Sequence, residues 1–382
     1  MSAGRILRHV RGSLEIETRL RRLRIIYPEV LRRLENQESV ALATILEAEG
    51  ATPQVPGASA LFGEKGLLSG TLGGGVLEAE AEKKALVCLK TGMSICYRFD
   101  LQGEDMSGAE PICGGFVRIL LDGSPGNGKE AWRRLTDSLL SRRSGVLVTG
   151  VSQTGEERVG VERFWVDDIA AGSDAWTVSL RFRKEIEEVR DRREPVLLRE
   201  EATSPEGRPN LIFLEPVVPS PRLLIVGAGH VGQALARQGL WLDFDVTVID
   251  DRTEFASPER FPEGVHLIVA DIERAVREFP VSGDTYIVIV THGHKHDAEA
   301  LKGCIRSPAA YIGMIGSQKK VALMRRRFLE AGWASSEEWD RVHAPIGLKI
   351  GSKTVEEIAV SIAAELVLVR SGSREAKAGV SE

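Results

Sequence analysis

The chain has little of what marks an exported, membrane-spanning or nucleic-acid-binding protein. Its four cysteines, Cys88, Cys96, Cys113 and Cys304, are scattered without paired zinc spacing, so neither a disulfide framework nor a cysteine-ligated zinc is expected. No apolar leader opens the sequence, and no uninterrupted apolar run approaches the roughly 18 residues that span a bilayer. A cytoplasmic protein without membrane segments is expected. The formal net charge of -5 gives no broad attraction to nucleic acid or an anionic membrane, so partners are expected to be small molecules or proteins.

What is present suffices for about two domains, since 43% of the 382 residues are hydrophobic. In "PSPRLLIVGAGHVG" the prolines Pro216, Pro219 and Pro221 give way to a strand, a glycine turn and a helix, which places a boundary near Val218. Beyond it, strands are expected at 222–226, 245–249, 265–270, 285–291 and 310–315, with helices at 230–240, 271–279, 297–304 and 317–331. This is the order of an α/β protein with a Rossmann-like, doubly wound parallel sheet. Thr354 and Glu357 form a capping box ahead of a last apolar helix, and 371–382 reads as a flexible tail. Residues 1–217 read as a mixed α+β domain opened by an arginine-rich amphipathic helix within 1–35, with Leu20, Leu23, Ile26, Val30 and Leu34 on one face. Positions 122–210 carry no motif with chemistry attached.

"GAGHVG" fits the dinucleotide fingerprint in the right context, after an apolar strand and at a helix start. Gly227 permits the tight turn, Gly229 lets backbone approach a phosphate, and Gly232 lets helix and strand pack closely. Asp250, closing the next strand, is placed to bind a ribose hydroxyl, and His230 sits within the turn. The same helix start binds any phosphate, so NAD(P) is one candidate occupant. "MIGSQKK" repeats the arrangement: Gly316 and Ser317 begin a helix, and Lys319 or Lys320 is placed to pair with phosphate.

In "THGHKHD" the alternation of His292, His294 and His296 suggests metal ligands. On an extended strand end, however, such residues lie about 6.6 to 6.8 Å apart, too far for adjacent ligands, so no metal is expected and the stretch reads as one wall of a ligand crevice. In the first half, Gly73, Gly74 and Gly75 precede a helix and either cradle an anion or simply make a turn needing positive φ. Glu78 either faces that site or caps the glycine amides. Cys113, in "PICGGFVRI", lies in a glycine turn, where a thiolate can bind a soft metal or carry sulfur, or where the thiol is merely structural.

Together these pieces resemble the XdhC/CoxI family, the xanthine dehydrogenase accessory factors of molybdenum hydroxylases. The likeness rests on "ATPQVPGASALF", "GTLGGGVLEAEAEKKA", "CGGFVRI", "LLIVGAGHVGQALA", "VIDDRTEFASPERFP", "THGHKHDAEAL", "YIGMIGSQKK" and "APIGLKIGSKTVEEIAVSIAAEL". It implies a factor that binds molybdenum cofactor, assists its sulfuration with a cysteine desulfurase and delivers it to the apo-hydroxylase, as a homodimer. Carried over to this chain, Cys113 contacts molybdenum or passes sulfur. Gly73, Gly74, Gly75 and Glu78 form the first glycine helix start. Gly227, Gly229, His230, Gly232, Asp250, Arg252, His292, His294, Asp297, Gly316, Ser317 and Lys320 form the cofactor crevice, with His296 incidental. Gln54, Ser59, Val76, Lys349 and Val355 depart from the family pattern. Val76 stands where a second cysteine is common, which puts any two-thiol mechanism in doubt. The alternative is an NAD(P)-dependent oxidoreductase with His230 or His292 as acid/base.

Overall fold

The computed structural model describes residues 26–101, 115–167, 181–200 and 211–378. The chain divides between Pro219 and Ser220 into two units. The first contains, in order, α1 (Ile26–Glu35), β1 (Ala41–Glu49), β2 (Ser59–Gly63), β3 (Gly66–Gly70), α2 (Gly75–Thr91), β4 (Ser94–Asp100), β5 (Phe116–Asp122), α3 (Lys129–Leu140), β6 (Gly145–Gln153), β7 (Arg158–Val166), α4 (Arg183–Arg192), β8 (Val196–Arg199) and β9 (Leu211–Val217).

The strands form one sheet in the order β3-β2-β1-β5-β4-β7-β6-β9-β8, and every pairing is antiparallel. Helices cover both faces because the apolar residues of the central strands occupy successive positions. Along β1, Ala41, Ala43 and Ile45 pack with Leu77, Ala81 and Ala85 of α2. Leu42 points the other way, to Tyr27 and Val30 of α1 and Trp132 of α3. This is the period of two expected of a strand buried on both sides. On α1, Ile26 and Val30 are buried as expected, while Arg32 and Arg33 hydrogen-bond Glu29. Leu20 and Leu23 lie outside the described residues.

The second unit contains β10 (Arg222–Val226), α5 (His230–Trp241), β11 (Asp245–Asp250), β12 (His266–Val269), α6 (Ile272–Glu278), β13 (Thr285–Ile289), α7 (His294–Cys304), β14 (Tyr311–Met314), α8 (Gln318–Glu330), α9 (Ser336–Asp340), β15 (Val342–His343) and α10 (Val355–Ala378). Its strand order is β12-β11-β10-β13-β14-β15, parallel throughout. That is the doubly wound order of a Rossmann fold. Leu224 and Val226 feed one core and Leu223 and Ile225 the other, as a parallel sheet covered on both faces requires.

The expected elements recur with two differences that matter. Strand β13 ends at Ile289 and α7 already starts at His294, so 291–296 is a short turn and a helix start rather than an extended strand end. Helix α9, with its Ser335–Glu338 capping box, and the short β15 were not anticipated. The Thr354–Glu357 box is present, and α10 runs to Ala378, into the segment read as a tail. Among the described residues no helix is long and apolar enough to cross a membrane.

Candidate ligand crevice in the second unit

Strand β10 pairs with β11 on one side and β13 on the other, so the chain reverses its direction of winding between β10 and β13. The crevice outside the carboxyl ends of these two strands is where open α/β sheets take ligands. Gly227 turns across it at φ 120°, where an added Cβ would lie 2.4 Å from the Val290 carbonyl oxygen. A Cβ on Gly232 would lie 2.0 Å from the Gly227 oxygen, which is why the helix can press onto the turn only through glycine.

Gly229 N-caps α5 and Gly293 N-caps α7, neither with a side-chain hydrogen bond. A Cβ at either would meet nothing within 4 Å. Two helix starts with uncapped first-turn amides and open space over the capping glycine therefore follow the two strands that flank the crevice, an arrangement that favours an anion. Helix α8 differs, because the Ser317 hydroxyl accepts from the Lys320 amide at 3.3 Å.

The charged residues expected to touch ligand are turned to other uses. Asp250 is wholly buried. One oxygen accepts from the Arg252 amide at 3.0 Å and its Nε at 2.9 Å, the other from the Ala228 amide at 2.7 Å and Arg252 Nη2 at 3.0 Å. Burial by itself would raise its pKa, but the bonds from Arg252 and the Ala228 amide hold it below the usual aspartate value. As placed, Asp250 braces the glycine turn instead of presenting to a ribose.

Asp297 is likewise buried. It accepts from Thr291 Oγ1 at 2.6 Å and forms an ion pair with Lys320, whose Nζ also donates to the Ile315 carbonyl at 3.1 Å. The Lys320 charge is thus answered within the protein, whereas Lys319 is exposed. A Cβ on Gly316 would meet Lys320 Cδ at 2.8 Å, so that glycine leaves room for the pair.

His230 is exposed at the first position of α5. His292 is exposed, its ring 4.6 Å from that of His296, and His296 Nδ1 lies 3.2 Å from Glu299. His294 opens α7, and its side chain lies outside the described residues. Asp250, Asp251 and His292 bring potential ligand atoms within 4.8 Å of one another. Asp250, however, already accepts four hydrogen bonds, two of them from a guanidinium, and has no lone pair left for a cation.

In the first unit, Gly73, Gly74 and Gly75 have φ of 105°, 76° and 61°, and a Cβ on Gly73 would lie 2.6 Å from Pro53. Glu78 accepts from Thr71 Oγ1 at 2.7 Å and the Leu72 amide at 2.9 Å. The Thr71 hydroxyl first, and then the turn's amides, draw its pKa below the ordinary value despite partial burial. Of the two roles open to Glu78, the structure shows it bonded to the turn. Cys113 lies outside the described residues. The other thiols are shielded: burial raises Cys88 to about 11 and Cys304 to about 12, and raises Cys96 as well, which leaves little thiolate at neutral pH.

Two family models match the chain, the XdhC and CoxI family over residues 33–100 and the XdhC Rossmann domain over residues 223–366. The chain belongs to the XdhC and CoxI family. A crystal structure of a xanthine dehydrogenase from Bacillus halodurans superposes with a TM-score of 0.71 at 26% identity, covering 90% of this chain and 95% of that one. A probable xanthine dehydrogenase subunit of Bacillus subtilis is 27% identical over 88% of this chain and 95% of its own length. The uncharacterized protein YqeB of Escherichia coli is 38% identical, but the match spans only 28% of YqeB. The molybdenum cofactor insertion chaperone PaoD, also of Escherichia coli, is 26% identical over 27% of this chain and 32% of PaoD.

Against the family motifs, the structure adds Thr291, which no spacing argument singled out. Its hydroxyl reaches Asp297 only because the chain folds back at Gly293, and a threonine at a strand end is too common to signal this. His296, read as incidental, lies against His292 with the two rings tilted by 36°, because α7 begins three residues earlier than the expected start at 297.

Proposed function

We propose that this chain is a maturation factor for a molybdenum hydroxylase of the xanthine dehydrogenase type. It binds the phosphorylated molybdenum cofactor as cargo, supports its sulfuration and hands it to the apo-hydroxylase. The observation that carries the reading is the pair of uncapped helix starts at Gly229 and Gly293 on either side of the strand-order reversal, with open space above both glycines. Each flanking carboxylate, Asp250 and Asp297, is matched by its own cation, so neither repels an anionic cargo. The name of PaoD points the same way.

In this reading the amides of α5 and α7 hold the phosphate, and His230, His292 and Lys319 reach the rest of the ligand from the crevice rim. Cys113 receives sulfur from a cysteine desulfurase, a role to which the buried Cys88 and Cys304 and the half-buried Cys96, all with raised pKa, are unsuited. The factor works as a homodimer. The direct test is to mix the purified protein with molybdenum cofactor, remove unbound material and oxidise what remains to its fluorescent pterin. Stoichiometric pterin is expected, with less in Cys113→Ala and in Gly229→Trp. A protein that retains none would end this reading.

A further inference from the structure

The end of β11 bears on which ligands the crevice admits. A carboxylate at the end of the second Rossmann strand ordinarily accepts from ribose hydroxyls. In this chain that carboxylate is Asp250, and every acceptor position it has is filled. Backbone amides of Ala228 and Arg252 take one position on each oxygen, and Arg252 Nε and Nη2 take the remaining one on each, at 2.9 and 3.0 Å. Those last two positions, one per oxygen, are the pair that a ribose diol would need.

The guanidinium is also held from outside. It lies 3.6 Å from the centre of the Phe255 ring, and the Arg260 guanidinium lies 4.6 Å from the same ring. With the Gln233 amide assigned so that its oxygen faces these donors, Arg260 in turn bonds Gln233 on α5 at 2.5 Å. Ribose hydroxyls would have to displace a forked ion pair, giving up the attraction between guanidinium and carboxylate as well as its two parallel hydrogen bonds.

We infer that Arg252 is a specificity-determining residue: it keeps the ribose seat of the fold closed, so that the crevice takes a phosphorylated ligand but not a nicotinamide dinucleotide. This rests on the reading of the crevice as a phosphate site. It also accounts for a Rossmann turn that keeps the fingerprint glycines while its acidic residue is wholly buried. Arg252→Ala removes the two side-chain donors and leaves both backbone bonds, which opens one acceptor position on each oxygen.

The test is calorimetric titration of the full chain with NADH, NADPH and inorganic pyrophosphate in the wild type, Arg252→Ala, and Arg252→Ala combined with Asp250→Asn. The wild type is expected to bind pyrophosphate and to bind both dinucleotides poorly. Arg252→Ala should gain NADH affinity by about ten- to a hundred-fold, the worth of hydrogen bonds to a charged acceptor. The double variant should lose that gain and keep pyrophosphate. Should Arg252→Ala fail to retain pyrophosphate, Arg252→Lys, which keeps the charge but cannot fork, replaces it and should show a smaller gain. If the wild type binds NADH or NADPH as tightly as the variant, the inference falls and the phosphate reading stands. If the wild type binds no pyrophosphate, the phosphate reading falls first.

Discussion

Tyr27 of α1 places its hydroxyl 2.6 Å from both carboxylate oxygens of Glu215 on β9, two residues 188 positions apart in the chain. Neither lies in a family motif, yet the contact ties the described start of the first unit to its penultimate strand in the sheet order. Tyr27 also stacks on Trp132 at 5.2 Å, over which the Arg163 guanidinium sits. Asp122 takes that guanidinium as its ion-pair partner.

This contact predicts a pH dependence. Burial pushes Glu215 up to about 7, only partly opposed by the Tyr27 hydroxyl and the more distant Arg163 charge. The folded chain then holds this proton more tightly than the unfolded one. The contribution of Glu215 is fully present below its ordinary value near 4.5 and declines as pH rises through 7, by about 3 kcal/mol at most. Glu215→Gln, which still accepts from Tyr27, should flatten that slope and be the more stable form at pH 8. Urea denaturation at pH 5 and pH 8 measures it, and a wild type equally stable at both would refute the assignment.

Removing a cation from the crevice wall should cost stability. Lys320→Met leaves the buried Asp297 carboxylate without its ion pair, at about 3–5 kcal/mol. Adding Asp297→Asn should recover much of that loss, since the uncompensated charge goes with it. Thermal melting of the two variants checks both halves. An unchanged melting point for Lys320→Met would mean that the pair is not formed in solution.

The fingerprint glycines should separate into structural and functional ones. Gly227→Ala forces a Cβ to within 2.4 Å of a carbonyl oxygen at φ 120°, and a loss of about 2 kcal/mol or more is expected. Gly229 has φ -69° and an open Cβ position, so Gly229→Ala should change stability by less than about 0.5 kcal/mol. Because its methyl enters the crevice, it should still weaken pterin retention. Equal effects of both on melting would contradict the geometry.

Sulfur should be traceable to one residue. With Cys88, Cys96 and Cys304 all shifted upward by burial, a persulfide formed with a cysteine desulfurase is expected on Cys113. Peptide mass spectrometry locates it. Its appearance on Cys88 or Cys304 would overturn the role assigned to Cys113.

Much of the second unit was legible from its sequence because each step is local. An apolar run bounded by a glycine turn and followed by a helical period gives strand, turn and helix almost independently of neighbours, so β10, α5, β11 and β13 stand close to where the pattern puts them. The crevice was legible for the same reason, since carboxyl ends of parallel strands follow from the element order. The two-residue β15 was not, because so short a strand carries no periodicity. The nine-stranded order of the first unit was not either, because its partners are set by contacts between distant segments such as β1 with β5 and β6 with β9.

By itself the sequence determined that glycines occupy 227, 229 and 232, that a Rossmann sheet follows a boundary near Val218, and that the family motifs occur in order. Backbone sterics and hydrophobic periodicity act over a few residues, and these features need nothing more. Only the tertiary structure decided what Asp250, Asp297, Arg252 and Lys320 do. Each was legible as a charge beside a crevice, and each is spent on another, because a carboxylate carried out of water by the packing of two strands must find its cation within the protein. Which cation lies within reach is a property of the fold and not of the spacing.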